Sequence, residues 1–260
     1  MRVILNNGTR CSNNCAGCYY GWRSDSGPPI PNLLSDIVDR YDSFAVGINN
    51  GARAHDFDVV LSAINKSYDV VVTINSTYEL SSGGGMHIIL PNAAAICVSY
   101  NGTLPPTNDE LEFMRIVGRT SRRPILNVVS NEVYDSSTID NIKVALDALG
   151  TGEVYALMRK GPPDLWWKMT NALLESYGRW IDTLRSSGIT PNVDECVMGV
   201  LSNDIGNCNR EWIEVTSSGE VRSCPYTSSP DTYISGVEEL NPLSLGSCRC
   251  VIPTNMEDLA

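Results

Sequence analysis

The chain has 260 residues, 42% of them hydrophobic, and a formal net charge of −11. That apolar share suffices for a packed α/β core, and the acidic balance repels phosphate backbones, which makes nucleic acid a poor partner. No run of 18 apolar residues is present to span a membrane, the opening Met1–Asn7 lacks the apolar length of a secretion signal, and nine cysteines point to metal or cluster binding in a reducing compartment, the cytoplasm, over a disulfide framework.

In chain order, Val3–Leu5 is a short apolar run that opens a first strand. Phe44–Ile48 reads as a strand, Phe57–Ile64 as a helix, and the β-branched run Asp69–Ile74 as a strand. Ala94–Ser99 is another strand, after which Thr107 and Glu110 predict a capping box that opens a helix. Pro124–Val129 gives a fifth strand. Ile139, Ile142, Ala145, Leu146 and Leu149 then recur at helical spacing and stop at Gly150.

Val154–Met158 is a sixth strand, and the longest helix follows from Pro163 to about Ser187. Its apolar stripe is Leu165, Met169, Leu173, Trp180, Ile181 and Leu184, with Gly188 as terminator. Trp166 and Trp167 near its start read as packing residues. Six βα units result, which predicts parallel pairing with ligands at the carboxyl ends of the strands. Beyond about residue 190 Ser, Gly, Pro and Cys dominate, so residues 1–190 form the α/β domain and 191–260 a second, cysteine-rich region.

Two cysteine groups carry the chemistry. Cys11, Cys15 and Cys18 are spaced C-x3-C-x2-C just after the first strand, which can wrap three thiolates around one iron–sulfur cluster and leave an iron open. Zinc accepts the same thiolates, but its sites usually add a second cysteine pair or histidines, and His55 and His87 form no such pair. The second group is Cys208, Cys224, Cys248 and Cys250, with Cys196 in reserve. Ser218-Gly219 predicts a hairpin turn between Cys208 and Cys224, which brings those thiols to the same end. Cys248 and Cys250 point to opposite sides if extended, so Cys196 is an alternative to either. A zinc clasp is the other reading of this group. Cys97, inside an apolar strand, is a small core residue.

The segment Cys11-Ser12-Asn13-Asn14-Cys15-Ala16-Gly17-Cys18-Tyr19-Tyr20 resembles the signature of radical S-adenosylmethionine (SAM) enzymes. The order Cys208…Gly219…Cys224 resembles the opening of their SPASM and twitch extensions, and the cysteine count suits a single-cluster twitch. Val98-Ser99-Tyr100-Asn101-Gly102 and Leu126-Asn127-Val128-Val129-Ser130-Asn131 are similar to their fourth and fifth strand ends.

The resemblance implies a partial (βα)6 TIM-like barrel with a small C-terminal twitch-like extension. It implies a SAM-binding 4Fe–4S cluster on Cys11, Cys15 and Cys18, and an auxiliary 4Fe–4S cluster on Cys208, Cys224, Cys248 and Cys250. Tyr19, Ser99 and Asn127 are implied SAM contacts, with Asn49, Asn50 and Gly51 standing where the family carries Gly-Gly-Glu. The glutamate is missing, and asparagine carbonyls or backbone oxygens can accept the same ammonium hydrogens.

The implied activity is reductive cleavage of SAM to a 5′-deoxyadenosyl radical that takes hydrogen from a small polar metabolite or a peptide. A net two-electron oxidation passes through the auxiliary cluster, and a flavodoxin- or ferredoxin-type donor supplies electrons. The alternatives are peptide or nucleoside modification without net oxidation, glycyl-radical activation, and a zinc-clasped binding protein. Tyr100, Asn101, Arg159 and Lys160, near strand ends, are the acid–base candidates.

Overall fold

The computed structural model describes residues 2–6, 28–48, 54–78, 85–129, 136–157, 171–193, 212–223 and 231–241. Strand and helix alternate through six units: β1 (Arg2–Asn6) with α1 (Leu33–Arg40), β2 (Ser43–Ile48) with α2 (Ala54–Lys66), and β3 (Asp69–Asn75) with α3 (Met86–Asn92). β4 (Ala95–Tyr100) with α4 (Asn108–Thr120), β5 (Pro124–Val129) with α5 (Ser136–Leu149), and β6 (Val154–Leu157) with α6 (Asn171–Ser186) complete the series. Then come β7 (Pro191–Val193), β8 (Trp212–Thr216), β9 (Glu220–Arg222), β10 (Thr232–Tyr233) and one 3-10 turn, Val237–Glu239.

All ten strands join one sheet in the order β10-β9-β8-β1-β2-β3-β4-β5-β6-β7. β1 to β7 are parallel neighbours in sequence order, and β8 adds in parallel on the free side of β1. Each βα crossover has the same hand, so sequential strand order stacks the helices on one face. Consecutive helices accordingly touch, from α1·α2 through α4·α5.

Strand alternation divides the sheet into two faces. Val3, Leu5, Phe44, Val46, Ile48, Val70, Val72, Ile74, Ile96, Val98, Leu126 and Val128 face the helices and form the main core with Trp180, Tyr177 and Ile142. Each such fully buried side chain contributes about 1.5–3 kcal/mol. The other face carries a small apolar cluster, Ala95, Cys97 and Ile125, with Val71 and Tyr155 packed against it.

The capping box opens α4 as the sequence predicts: Glu110 N–H donates to Thr107 Oγ1, and the Glu110 carboxylate accepts from Thr107 N–H at 2.9 Å. Gly150 and Gly188 follow α5 and α6 at φ of 64° and 82°, a left-handed conformation that ends a helix cheaply only in glycine. The hairpin also forms, with β8 and β9 antiparallel around residues 217–219 and Gly219 at φ 83°. Among the described residues no helix is long and apolar enough to cross a membrane.

Candidate functional site

β1, β4 and β5 run in the same direction, so the segment that follows Asn6 leaves the sheet at the end where β4 and β5 finish. That segment holds Cys11, Cys15, Cys18 and Tyr19, which lie outside the described residues. So do Asn49, Asn50, Gly51, Arg159, Lys160, Cys196, Cys208, Cys224, Cys248 and Cys250. Among the described residues no three His, Cys, Asp or Glu side chains converge as metal ligands.

Ser99 and Asn127 are register partners on β4 and β5, on the face away from the helices. Adjacent strands lie about 4.8 Å apart, so a ligand of a few atoms can bridge both side chains. The row continues to Asn75 on β3 and Tyr155 on β6. Its members differ in what they already do. Asn75 Oδ1 accepts from the Thr77 backbone N–H at 2.9 Å and from the Thr77 hydroxyl at 2.7 Å, which closes the turn after β3. Ser76 next to it donates to Glu110 at 2.6 Å.

Asn127 is 8% exposed, yet no described residue hydrogen-bonds its amide, and the half-buried Ser99 hydroxyl is likewise unengaged among described residues. The pair therefore has hydrogen-bonding capacity that no described residue uses, one hydroxyl and one amide on neighbouring strands. Gly102 follows β4 at φ 78°, and Asn141 donates to its carbonyl at 3.0 Å. The chain therefore turns directly after β4 at Gly102.

Tyr100 points the other way. It is 5% exposed in the helix-side core and donates its hydroxyl to the Leu104 carbonyl at 2.5 Å. Burial, then the nearby Glu110 carboxylate, pushes its pKa up to about 12, which removes it from acid–base work near neutrality. Asn101 is exposed beyond the strand. Cys97 is a free, buried thiol, as expected for a core residue, and burial, with Glu153 adding to it, pushes its pKa to about 12.

A second polar group on the same face has no counterpart among the sequence expectations. Glu214, Glu220 and Arg222 are all buried, at 0%, 5% and 2% exposure. Asn6 Nδ2 donates to Glu214 Oε1 at 2.9 Å, and Arg222 Nη2 meets Glu220 Oε2 at 2.5 Å. Glu214 and Arg222 are register partners across the hairpin. The available signal is that three charges alternate with apolar residues in Trp-Ile-Glu-Val-Thr and Glu-Val-Arg, which places them on one face but is silent on whether that face meets water.

No protein-family model matches the chain, and no curated protein sequence matches it. Solved structures share its fold, and two of them are of one protein. One is the crystal structure of Streptococcus suis SuiB bound to precursor peptide SuiA, with TM-score 0.62, 12% identity, and coverage of 86% of this chain and 59% of that one. The other is Streptococcus suis SuiB alone, with TM-score 0.58, 13% identity, and coverage of 86% and 60%. The chain thus spans about three-fifths of the SuiB chains' length.

Proposed function

We propose that this chain is a radical SAM enzyme with a partial (βα)6 barrel at residues 1–190 and a twitch-like region at 191–260. The observation that carries the reading is a coincidence of place. The connection bearing the C-x3-C-x2-C run departs from the same end of the parallel sheet at which Ser99 and Asn127 stand unengaged. The fold supports it, since six βα units with parallel strands match the partial barrel that the cysteine signature implies. Burial of Cys97, Ile125 and Ala95 on the face without helices supports an arc that curls over its own inner face.

In this reading Cys11, Cys15 and Cys18 hold a 4Fe–4S cluster, and Ser99, Asn127, Tyr19 and the Asn49–Gly51 stretch hold SAM. Together the bound cofactors supply a 5′-deoxyadenosyl radical by one-electron reductive cleavage. The Asn127 amide both donates and accepts and suits a carboxylate or a ribose hydroxyl, while the Ser99 hydroxyl suits either partner. The small apolar cluster beneath them keeps water from the inner face. Cys208, Cys224, Cys248 and Cys250 would hold an auxiliary cluster, with Cys196 as the alternative ligand to Cys248 or Cys250, and that cluster would supply an acceptor for the second electron of a two-electron substrate oxidation. The substrate's first electron would leave with the hydrogen atom taken by the deoxyadenosyl radical, and a flavodoxin- or ferredoxin-type protein would supply the separate electron that cleaves SAM.

The substrate is a peptide or a small polar metabolite. The likeness to SuiB, seen bound to its precursor peptide, favours the peptide. Anaerobic reconstitution tests the whole reading. About eight irons per chain, four per cluster, with 5′-deoxyadenosine formed from SAM and lost in Cys15→Ala, are expected. Zinc in place of iron, or iron without SAM binding, refutes it.

A further inference from the structure

The C-terminal hairpin does more than offer cysteines of its own. We propose that the β8–β9 turn clamps both stems of the Cys11–Cys18 connection, with Ser217, Gly219 and Glu214 as positioning residues for the first cysteine group. The proposal deepens the radical SAM reading and rests on it for its chemistry.

The stems are Asn6, the last residue of β1, and Ile30, before α1. One residue bonds both: Ser217 N–H donates to the Asn6 carbonyl at 2.8 Å, and the Ser217 carbonyl accepts from Ile30 N–H at 2.8 Å. Pinning the two ends of a connection removes most of its closure freedom. Glu214 adds a side-chain hold on the first stem through the Asn6 amide. Gly219 adds a steric hold on the second, because a Cβ there would stand 2.8 Å from Ile30 Cδ1 and 2.1 Å from the Ile234 carbonyl oxygen. Arg40, at the end of α1, donates to the Val237 carbonyl at 2.6 Å, so the C-terminal residues also brace the helix that the second stem feeds.

The turn is built stiffly enough to act as an anvil. Gly219 N–H donates to the Thr216 carbonyl at 3.1 Å, Glu220 N–H to Thr216 Oγ1 at 3.0 Å, and Ile234 N–H to the Gly219 carbonyl at 2.8 Å. The buried Glu220–Arg222 pair fixes the second arm. A buried carboxylate such as Glu214 is a costly way to gain stability, and setting register is the best-attested use of such groups. Here the register set is that of β1 against β8.

The test uses the full-length chain, first metal-free and then reconstituted. Hydrogen exchange is followed in peptides covering residues 7–27 for Gly219→Ala, Glu214→Leu and Glu214→Gln. Gly219→Ala forces a left-handed residue with a side chain, so exchange in 7–27 rises roughly ten-fold. Glu214→Leu raises it as well, while Glu214→Gln, which keeps an acceptor for Asn6, stays near wild type. On reconstitution the two disruptive variants also shift the EPR signal of the reduced SAM-binding cluster, a readout that mere loss of stability would leave in place. Wild-type exchange in 7–27 for both, or a rise matched in α4 and α5, overturns the clamp. If the wild-type chain binds no iron or SAM, the enzyme reading fails while the metal-free exchange still judges the clamp.

Discussion

Asn127→Leu separates a ligand-binding amide from a structural one. The side chain is 8% exposed and no described residue bonds it. An unsatisfied buried polar group costs about 1–3 kcal/mol, and Leu keeps the branched shape of Asn with a larger volume. Residual exposure puts the relief at the low end, so the metal-free variant should gain about 1 kcal/mol in urea unfolding. SAM binding should move the opposite way. A hydrogen bond to a charged group is worth about 1.5–3 kcal/mol, so affinity falls roughly 10- to 150-fold, measured by anaerobic titration of reconstituted protein. Greater stability with weaker binding is the signature of a site residue. A variant that loses about 1 kcal/mol or more, or one whose SAM affinity changes less than about two-fold, refutes the assignment, since the amide would then be serving the fold.

Gly118→Ala in α4 sets propensity against packing. Alanine gains about 0.8–1 kcal/mol of helix propensity, but its Cβ would stand 2.3 Å from the Leu149 carbonyl oxygen, and overpacking of about 1–3 kcal/mol should win and lower the melting temperature. Arg2 Nη2 bonds both Asp69 oxygens at 2.6 and 2.7 Å, and Ser43 donates at 2.5 Å. Burial raises the Asp69 pKa, but these bonds outweigh it and leave the value below the usual one. The resulting stability is present above the unfolded value near 3.9 and is lost as pH falls through the lower folded value. With the carboxylate half exposed it amounts to about 1 kcal/mol or less, so Asp69→Asn should unfold slightly more easily at neutral pH and show a flatter acid limb in pH-dependent denaturation. Cys224→Ala should keep SAM cleavage and lose oxidised product in an anaerobic turnover assay, and equal loss of both would give the second cysteine group a structural role.

The strands were legible because each central one is an apolar, β-branched run with both faces buried in part: Pro124–Val129 is predicted and observed with the same bounds. α1 and α3 were harder for local reasons. α1 has eight residues and an Asn32 N-cap that makes no side-chain cap bond, while α3 has seven residues with Pro91 inside. β7 is three residues that begin with proline. The hairpin turn was written in Ser218-Gly219, but the pairing of β8 with β1 spans about two hundred residues and leaves no local trace. For the same reason Glu214, Glu220 and Arg222 drew no expectation from the sequence, and only the long-range pairing buries them. Ser99 and Asn127 were found through resemblance. What resemblance could not supply is that they share a register and lack partners.

The polar row across β3 to β6 shows how the inner face divides its labour. Asn75 and Ser76 at the end of β3 are committed to a turn and to the α4 cap, so they rigidify the rim but have little left to give a ligand. Tyr155 on β6 is packed against Cys97 and Ile125. On the proposed reading, ligand recognition on this side narrows to β4 and β5, where no described residue engages the Ser99 hydroxyl or the Asn127 amide. On the opposite side of β1, Glu214 holds Asn6 and Arg222 Nη2 holds Glu220, while Arg222 Nε and Nη1 are buried without a hydrogen-bond partner among the described residues. A small molecule gripped by two neutral groups from one side needs its charge met from elsewhere. On the proposed reading, the segment after β2 has Asn49 and Asn50 where the resembled family carries a glutamate, and backbone carbonyls and amide oxygens would receive the ammonium group. Neutral acceptors bind an ammonium less tightly than a carboxylate does. Weak SAM affinity, strengthened by Asn50→Glu, is thus the expected behaviour of this site, and an Asn50→Glu chain that binds SAM no better than the parent would mean that the ammonium is received elsewhere.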